Sequence, residues 1–345
     1  MKSYFTYLHY KNTKSLLTLL LWPLSLIYGV IVTIRRKAYK KKYLETISND
    51  LLVIVVGNIT MGGTGKTPLV LYLIELLKQV GLKPGVVSRG YGGHAKSYPY
   101  LLTDNSTAKD AGDEPLLIYQ RSNVPVVVDP NRPQAAKYLS EHTDCNVIIS
   151  DDGLQHYRLE RDIEIAVVDG IRLFGNGLLF PAGPLREKAS RLKEVDFVIY
   201  NELCNDDVVS DAYTMSLLPE SFINVKTKRK VEKSFFQNKN NVAIAGIGHP
   251  ERFFKSLDAM NIKCLKQAMP DHYAYEAADF KFEDELQILM TEKDAVKVKA
   301  FATDNMWYIP VNTSLPEDFK IKFLETVTQT ERAKNLKPST NMLKS

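Results

Sequence analysis

Residues 51–67 read LLVIVVGNITMGGTGKT, and the fold follows from how that stretch is built. LLVIVVG (51–57) is a near-continuous apolar run rich in Val and Ile, as expected of a parallel strand buried on both faces. A glycine-rich turn follows, then Lys66-Thr67 and a long apolar stretch over Thr67–Val80 that reads as a helix. In a strand–loop–helix of this kind successive backbone N–H groups converge into an anion nest. The helix N-terminus adds the positive end of its dipole. Thr60, Met61, Gly62, Gly63, Thr64, Gly65, Lys66 and Thr67 are therefore the candidate nucleotide-binding segment. Lys66 would reach the β- and γ-phosphates, and the Thr67 hydroxyl would bind Mg²⁺. The strict motif has Gly six residues before the Lys, whereas Thr60 stands there in this chain. Pro68 suits a helix start, where its missing N–H would be unpaired anyway.

Outward from that loop, five more apolar runs recur: PGVVS (84–88), VPVVVD (124–129), NVIIS (146–150), IEIAVV (163–168) and DFVIY (196–200). Helical stretches such as Arg132–Glu141 lie between them. This alternation predicts a P-loop NTPase-like, doubly wound α/β fold with a mostly parallel sheet. We expect a kinase-type domain over residues 46–225 and a polar linker or hairpin over 226–241. A smaller α/β lobe is expected over 242–330, opened by NVAIAGIG (241–248) and containing WYIPV (307–311), and a polar tail over 331–345.

The whole chain has 345 residues, with 45 Lys+Arg against 40 Asp+Glu, 45% hydrophobic and 25% charged residues. That composition excludes global disorder and a fibrous fold. Residues 1–50 carry a net charge of +7 and the remainder −2, so the basic balance belongs to the N-terminal segment. A nucleic-acid-binding body would carry its positive charge on the body itself, and no nucleic-acid partner is expected. Cys145, Cys204 and Cys264 are too far apart to form a disulfide framework or a close-spaced zinc motif.

Residues 15–34, SLLTLLLWPLSLIYGVIVTI, are uncharged. Twenty such residues are long enough to cross a hydrocarbon core as a helix. Arg35, Arg36, Lys37 and Lys40 to Lys42 follow, a cluster suited to anionic headgroups. Residues 1–45 are thus expected to form a membrane-associating helix with a basic flank, the bulk of the chain being cytoplasmic. A cleaved signal peptide is disfavoured by the long apolar run and by basic residues where an A-x-A-like cleavage site would stand. A buried core helix is the other competing reading, and spanning is not separable here from lying in the interface.

NVIIS runs into Asp151-Asp152-Gly153. Carboxylates at the end of a buried strand hold Mg²⁺ in P-loop enzymes, although Asp-Gly also marks an ordinary turn. Gly112-Asp113-Glu114-Pro115 offers a carboxylate that could orient and deprotonate an acceptor hydroxyl. A helix N-cap with an acidic first turn explains it at least as well. Ser88-Arg89-Gly90-Tyr91-Gly92 and Gly183-Pro184-Leu185-Arg186-Glu187 each supply an Arg beside glycine, which phosphate or solvent would suit equally. His156 and His272 lie close to Asp152 and Asp271 in sequence, and the six His show no zinc-like spacing. Thr291-Glu292-Lys293-Asp294 approaches a guanine-reading motif with its Lys one place late, so GTP specificity does not follow.

Taken in order, these segments resemble the tetraacyldisaccharide 4'-kinase (lipid A 4'-kinase) family, as do Asp271-His272 and Gly246-Ile247-Gly248. The resemblance covers about residues 15–310 and includes the apolar helix; Thr60 in the variant loop is itself typical of the family. It implies a P-loop kinase that moves the ATP γ-phosphoryl to the 4'-hydroxyl of a tetraacyldisaccharide 1-phosphate, making lipid IVA at the cytoplasmic face of the inner membrane. It implies Asp113 as base assisted by His272, with Lys66 in the catalytic set. It also implies Asp151 and Asp152 as Mg²⁺-site carboxylates with Thr67, and Arg89, Tyr91, Glu114, His156, Arg186 and Glu187 as cleft residues. Three other functions fit the same motifs: a membrane-associated P-loop ATPase or GTPase acting as a switch or metallochaperone, a non-catalytic nucleotide-binding scaffold at the membrane, and a kinase for another amphiphilic acceptor.

Overall fold

The computed structural model describes residues 10, 15–202, 211–282 and 286–335, with side chains through Glu331. The first described helix, α1 (Leu16–Lys40), starts at Ser15, whose hydroxyl accepts from the Thr18 N–H at 3.1 Å. Its apolar side chains face outward: Leu20 is 74% exposed, and Leu16, Leu19, Ile27 and Ile34 are also open. The residues it buries are Thr18, Ser25 and Gly29. This is the reverse of a soluble core helix, so the core-helix reading is excluded. The helix has the length and composition to cross a membrane.

The first sheet has nine strands. Its central strand β1 (Leu52–Gly57) feeds the glycine-rich loop and then α2 (Lys66–Gln79). Next come β2 (Pro84–Ser88), β3 (Tyr100–Leu101), α3 (Ala108–Ala111), α4 (Asp113–Ser122), β4 (Val126–Val128), α5 (Arg132–His142) and β5 (Val147–Asp151). Then β6 (Ile163–Asp169), β7 (Phe197–Asn201) and β8 (Tyr213–Pro219) extend the sheet on the other side of β1. From β2 to β8 the pairs β2–β5, β5–β1, β1–β6, β6–β7 and β7–β8 are all parallel. Alternate residues of β1 enter opposite layers. Leu52, Ile54 and Val56 pack with Leu69 and Leu73 of α2, while Val53 and Val55 pack with Ala135 and Leu139 of α5. Burial on both faces is why the Val/Ile runs were legible as strands.

A six-stranded second sheet follows: β9 (Phe222–Asn224), β10 (Lys230–Val231), α6 (Ser234–Gln237), β11 (Asn241–Ala245), α7 (Pro250–Ala259), β12 (Leu265–Ala268), β13 (Gln287–Thr291), α8 (Glu292–Val298) and β14 (Met306–Ile309). Its order is β10-β9-β14-β13-β11-β12. Sheet membership differs from the expected domain limits at both ends. β9 already belongs to the second sheet, so that lobe begins before 226, and the polar stretch holds the β9–β10 hairpin. After β14 the chain returns: β15 (Val311–Ser314) pairs antiparallel with β8 in the first sheet. The last helix, α9 (Glu317–Asn335), buries Phe319, Phe323 and Val327 in the first-lobe core with Leu69 and Met215. Residues 331–335 of the expected tail are therefore helical, and 336–345 lie outside the described residues.

Strands β1, β5, β6 and β7 all end on one edge of the first sheet. In register, Asp151 sits beside Val56, Ala166 beside Gly57, and Asn201 beside Asp169. Strands β11 and β13 end on the facing edge of the second sheet, near the 246–248 loop and α8. The two carboxyl edges enclose the cleft, as expected for a ligand site in an open α/β sheet. The approach is close: a Cβ on Gly248 would stand 3.0 Å from the Gly63 nitrogen.

Candidate active site

The glycine-rich loop is held from both sides. The Met61 N–H donates to the Pro184 carbonyl at 2.8 Å, and the Arg186 N–H to the Ile59 carbonyl at 2.7 Å. The Asn201 side chain donates to the Thr64 carbonyl at 3.0 Å, and Arg172 donates to the Gly63 carbonyl. Gly65 is the N-cap of α2 at φ +93°, and a Cβ there would meet the Asn201 amide at 2.4 Å. Only glycine combines that backbone with that contact. The N–H groups of Gly62, Gly63, Thr64 and Gly65 find no acceptor among the described residues. Four free donors at a helix N-terminus form an anion cradle.

Lys66 lies at the mouth of this cradle, 3.3 Å from Asp152 Oδ1. Arg186 Nη1 donates to both Asp152 oxygens at 3.2 Å. Burial works to raise the Asp152 carboxyl, but Lys66 and Arg186 outweigh it and hold it well below the usual range. Asp151 is the opposite case: burial, Glu114 and Asp152 push its carboxyl above the ordinary value. Its Oδ2 accepts from Ser88 at 3.3 Å, while its buried Oδ1 has no partner among the described residues. A buried carboxylate oxygen without a donor is a place where an ion or water can complete the hydrogen-bonding count. Asp151, Asp152 and Thr67 are a donor set suited to Mg²⁺, which takes one or two carboxylates and fills its other positions from phosphate and water.

The second acidic site is assembled across the cleft. Asp113 opens α4 and is buried, and its Oδ1 accepts from the Glu114 N–H at 2.9 Å. His272 Nδ1 lies 3.1 Å and 3.0 Å from its two oxygens. Lys293 Nζ is 3.8 Å from Asp113 Oδ2 and Lys297 Nζ is 4.0 Å away. Burial favours the neutral acid, yet the His272 hydrogen bond and Lys293 outweigh it and hold the Asp113 carboxyl below its ordinary value. Tyr91 is exposed, and its ring centroid sits 4.9 Å from that of His272.

The family model described as Tetraacyldisaccharide-1-P 4'-kinase matches residues 17–328. The chain belongs to the tetraacyldisaccharide 4'-kinase family. The family's Vibrio campbellii member is 48% identical over 320 residues, covering 92% of this chain and 93% of the relative. The member from Colwellia psychrerythraea is 49% identical over 311 residues, covering 88% and 90%. The crystal structure of LpxK from Aquifex aeolicus in complex with ATP superposes with a TM-score of 0.75 at 28% identity, covering 91% of this chain and 99% of that one.

The remaining residues expected of a tetraacyldisaccharide 4'-kinase site occupy distinct positions. Glu114 pairs with Lys293 at 2.9 Å. His156 is half-buried; burial and then Arg132 push its imidazole down to about 4. Arg89 is exposed and makes no hydrogen bond among the described residues. Glu187 is buried, accepting from Gln155 Nε2 at 2.8 Å and from the Tyr157 hydroxyl, and so braces the loop from behind. Sequence reasoning missed Asn201, Arg172, Ser88 and Lys297 as supports of this kinase-family site, and gave Lys293 no role. Asn201 had a usable signal, a lone Asn closing the apolar run DFVIY. The lysines had none, because a Lys on a short helix is ordinarily a solvated surface residue.

Proposed function

We propose that the chain transfers the γ-phosphoryl group of ATP to the 4'-hydroxyl of a tetraacyldisaccharide 1-phosphate, forming lipid IVA, at the cytoplasmic face of the inner membrane. The observation that carries this reading is the Asp113–His272 pair, closed at 3.0 Å across the same cleft that holds the phosphate cradle. The loop amides and Lys66 grip the triphosphate. The Asp113–His272 pair orients the acceptor hydroxyl and takes its proton as the new P–O bond forms and the bond to ADP breaks. Arg186, which shares Asp152 with Lys66, adds positive charge where the phosphoryl group is transferred. Thr67, Asp151 and Asp152 would hold Mg²⁺, which neutralises charge on the β- and γ-phosphates when bound. Most of the catalysis is positioning and charge stabilisation. The acyl chains stay in the bilayer beside the open apolar face of α1, while the sugar reaches the cleft.

The test is transfer from γ-labelled ATP by the full-length protein in detergent–lipid micelles, with and without the tetraacyldisaccharide 1-phosphate. Label should move to the lipid, and Asp113→Asn should lower kcat by about 10²–10⁴-fold. Release of free phosphate at one rate with or without the acceptor would indicate a switch-type hydrolase and reject the kinase reading.

A further inference from the structure

Lys293 has an unusual set of neighbours. From α8 in the second lobe its ammonium lies 2.9 Å from Glu114 and 3.8 Å from Asp113, both on the first lobe. It also lies 3.7 Å from Asp271, on its own lobe beside His272. Three carboxylates thus converge on one amine whose side chain is only 16% exposed. Lys297, one turn further along α8, faces Asp113 at 4.0 Å but is engaged by Asp294 at 2.7 Å. Glu114 also feels the charge of Lys66, so that carboxylate lies within electrostatic reach of both lysines. Closing the cleft without this cation would press Asp113, Glu114 and Asp271 together in a poorly hydrated space, where like charges repel strongly.

We propose that Lys293 is a positioning residue for the phosphoryl transfer: it reaches Asp113–Glu114 only when the two lobes meet, and so makes base alignment and cleft closure a single event. The inference rests on the Asp113–His272 reading given above. The groups facing Asp113 are Glu114 from its own helix and His272, Lys293 and Lys297 from the second lobe, with Asp271 reaching it through His272 and Lys293. Of these, Lys293 meets two first-lobe carboxylates and Asp271 of its own lobe, whereas Lys297 joins Asp113 to Asp294 alone. Charge on Lys293 favours the ionised form of Asp113, a direction its depressed titration supports. Loss of that charge raises the Asp113 carboxyl and moves the acidic limb of kcat/KM to higher pH.

The test compares K293M, K293R and D113N in the labelled-transfer assay across pH, with ATP binding measured separately. K293M should lose about 10²-fold in kcat, bind ATP within a few-fold of the unmutated protein, and show its acidic limb displaced upward. K293R, which keeps the charge, should restore the limb and most of the rate. Wild-type kcat in K293M, a lowered rate with an unmoved limb, or loss of ATP binding would each overturn the positioning role. An inactive D113N beside a normal K293M would reject this inference alone. A fully active D113N would reject the base assignment beneath it.

Discussion

Asp151 and Asp152 share a strand end but meet different neighbours. Asp152 turns to Lys66 and Arg186, and Asp151 faces Ser88 with its other oxygen unpartnered among the described residues. Two adjacent carboxylates are thereby driven in opposite directions, one toward permanent charge and one toward protonation unless a cation arrives. His156 is a further group shaped by its surroundings. Its imidazole titrates near 4 in the folded chain, against about 6.5 unfolded. The unfolded chain therefore binds the proton first as pH falls, and the native state loses stability between about 6.5 and 4. His156→Gln should flatten that limb, seen as a smaller drop in the unfolding midpoint between pH 7 and pH 4.5 than the unmutated protein shows. Parallel drops in the two proteins would contradict the assignment. Arg132 is buried nearby, with Nη2 donating to the Asp151 carbonyl at 3.0 Å, and its fixed charge opposes the imidazolium.

Among the elements, α1 is decisive because it inverts the usual pattern. Its polar and small residues touch protein. Ser25 Oγ donates to the Leu179 carbonyl at 2.8 Å and accepts from the Ala182 N–H at 2.9 Å, and the Tyr28 hydroxyl donates to the Arg186 carbonyl at 3.1 Å. Leu16, Leu19, Leu20, Leu24, Leu26, Ile27, Ile31 and Ile34 face away, an exposed apolar face of the kind that marks a membrane or partner surface. The segment it rests on, residues 179–186, is the one that backs the glycine-rich loop, so the exposed apolar helix and that loop are joined through a few hydrogen bonds. Replacing both Leu20 and Ile27 with Lys should each oppose burial in lipid by up to about 2.5–3.5 kcal/mol. Co-flotation with anionic vesicles should fall sharply while ATP binding stays intact. Undiminished flotation would mean that another surface makes the contact.

For the whole molecule, the chain's return after β14 matters most. Phe319 and Phe323 from α9 pack on Phe197 with ring centroids 5.5 Å and 6.0 Å away, in the same core as the helix that follows the phosphate loop. The C-terminal helix thus completes the first lobe and straps the second between two crossings. Phe323→Ala should destabilise the first lobe by about 3–5 kcal/mol, read from urea unfolding followed by loss of ATP binding. A change under about 1 kcal/mol would show that α9 is not part of that core. The lobes themselves are pinned by Arg252, which reaches Asp169 at 2.9 Å, and by Arg121, which reaches Glu292 at 2.7 Å.

Much of this was readable from residues alone, because the features concerned are local. A strand buried on both faces has to be an apolar run. A phosphate cradle has to be glycines followed by Lys and Thr at a helix start, and an uncharged stretch of twenty residues has to seek apolar surroundings. Those constraints act within a dozen or so residues, and they determined the sheet, the loop and the outward-facing apolar helix. The meeting of Asp113 with His272 acts across 159 residues. The capture of Asp113 and Glu114 by Lys293, the Asp151 oxygen without a partner among the described residues and the recrossing at Val311 are equally non-local. Such contacts depend on how two sheets are set edge to edge. Only the tertiary structure decides that, because the packing of the whole core, and no short-range preference, sets the distance between side chains so far apart in the chain.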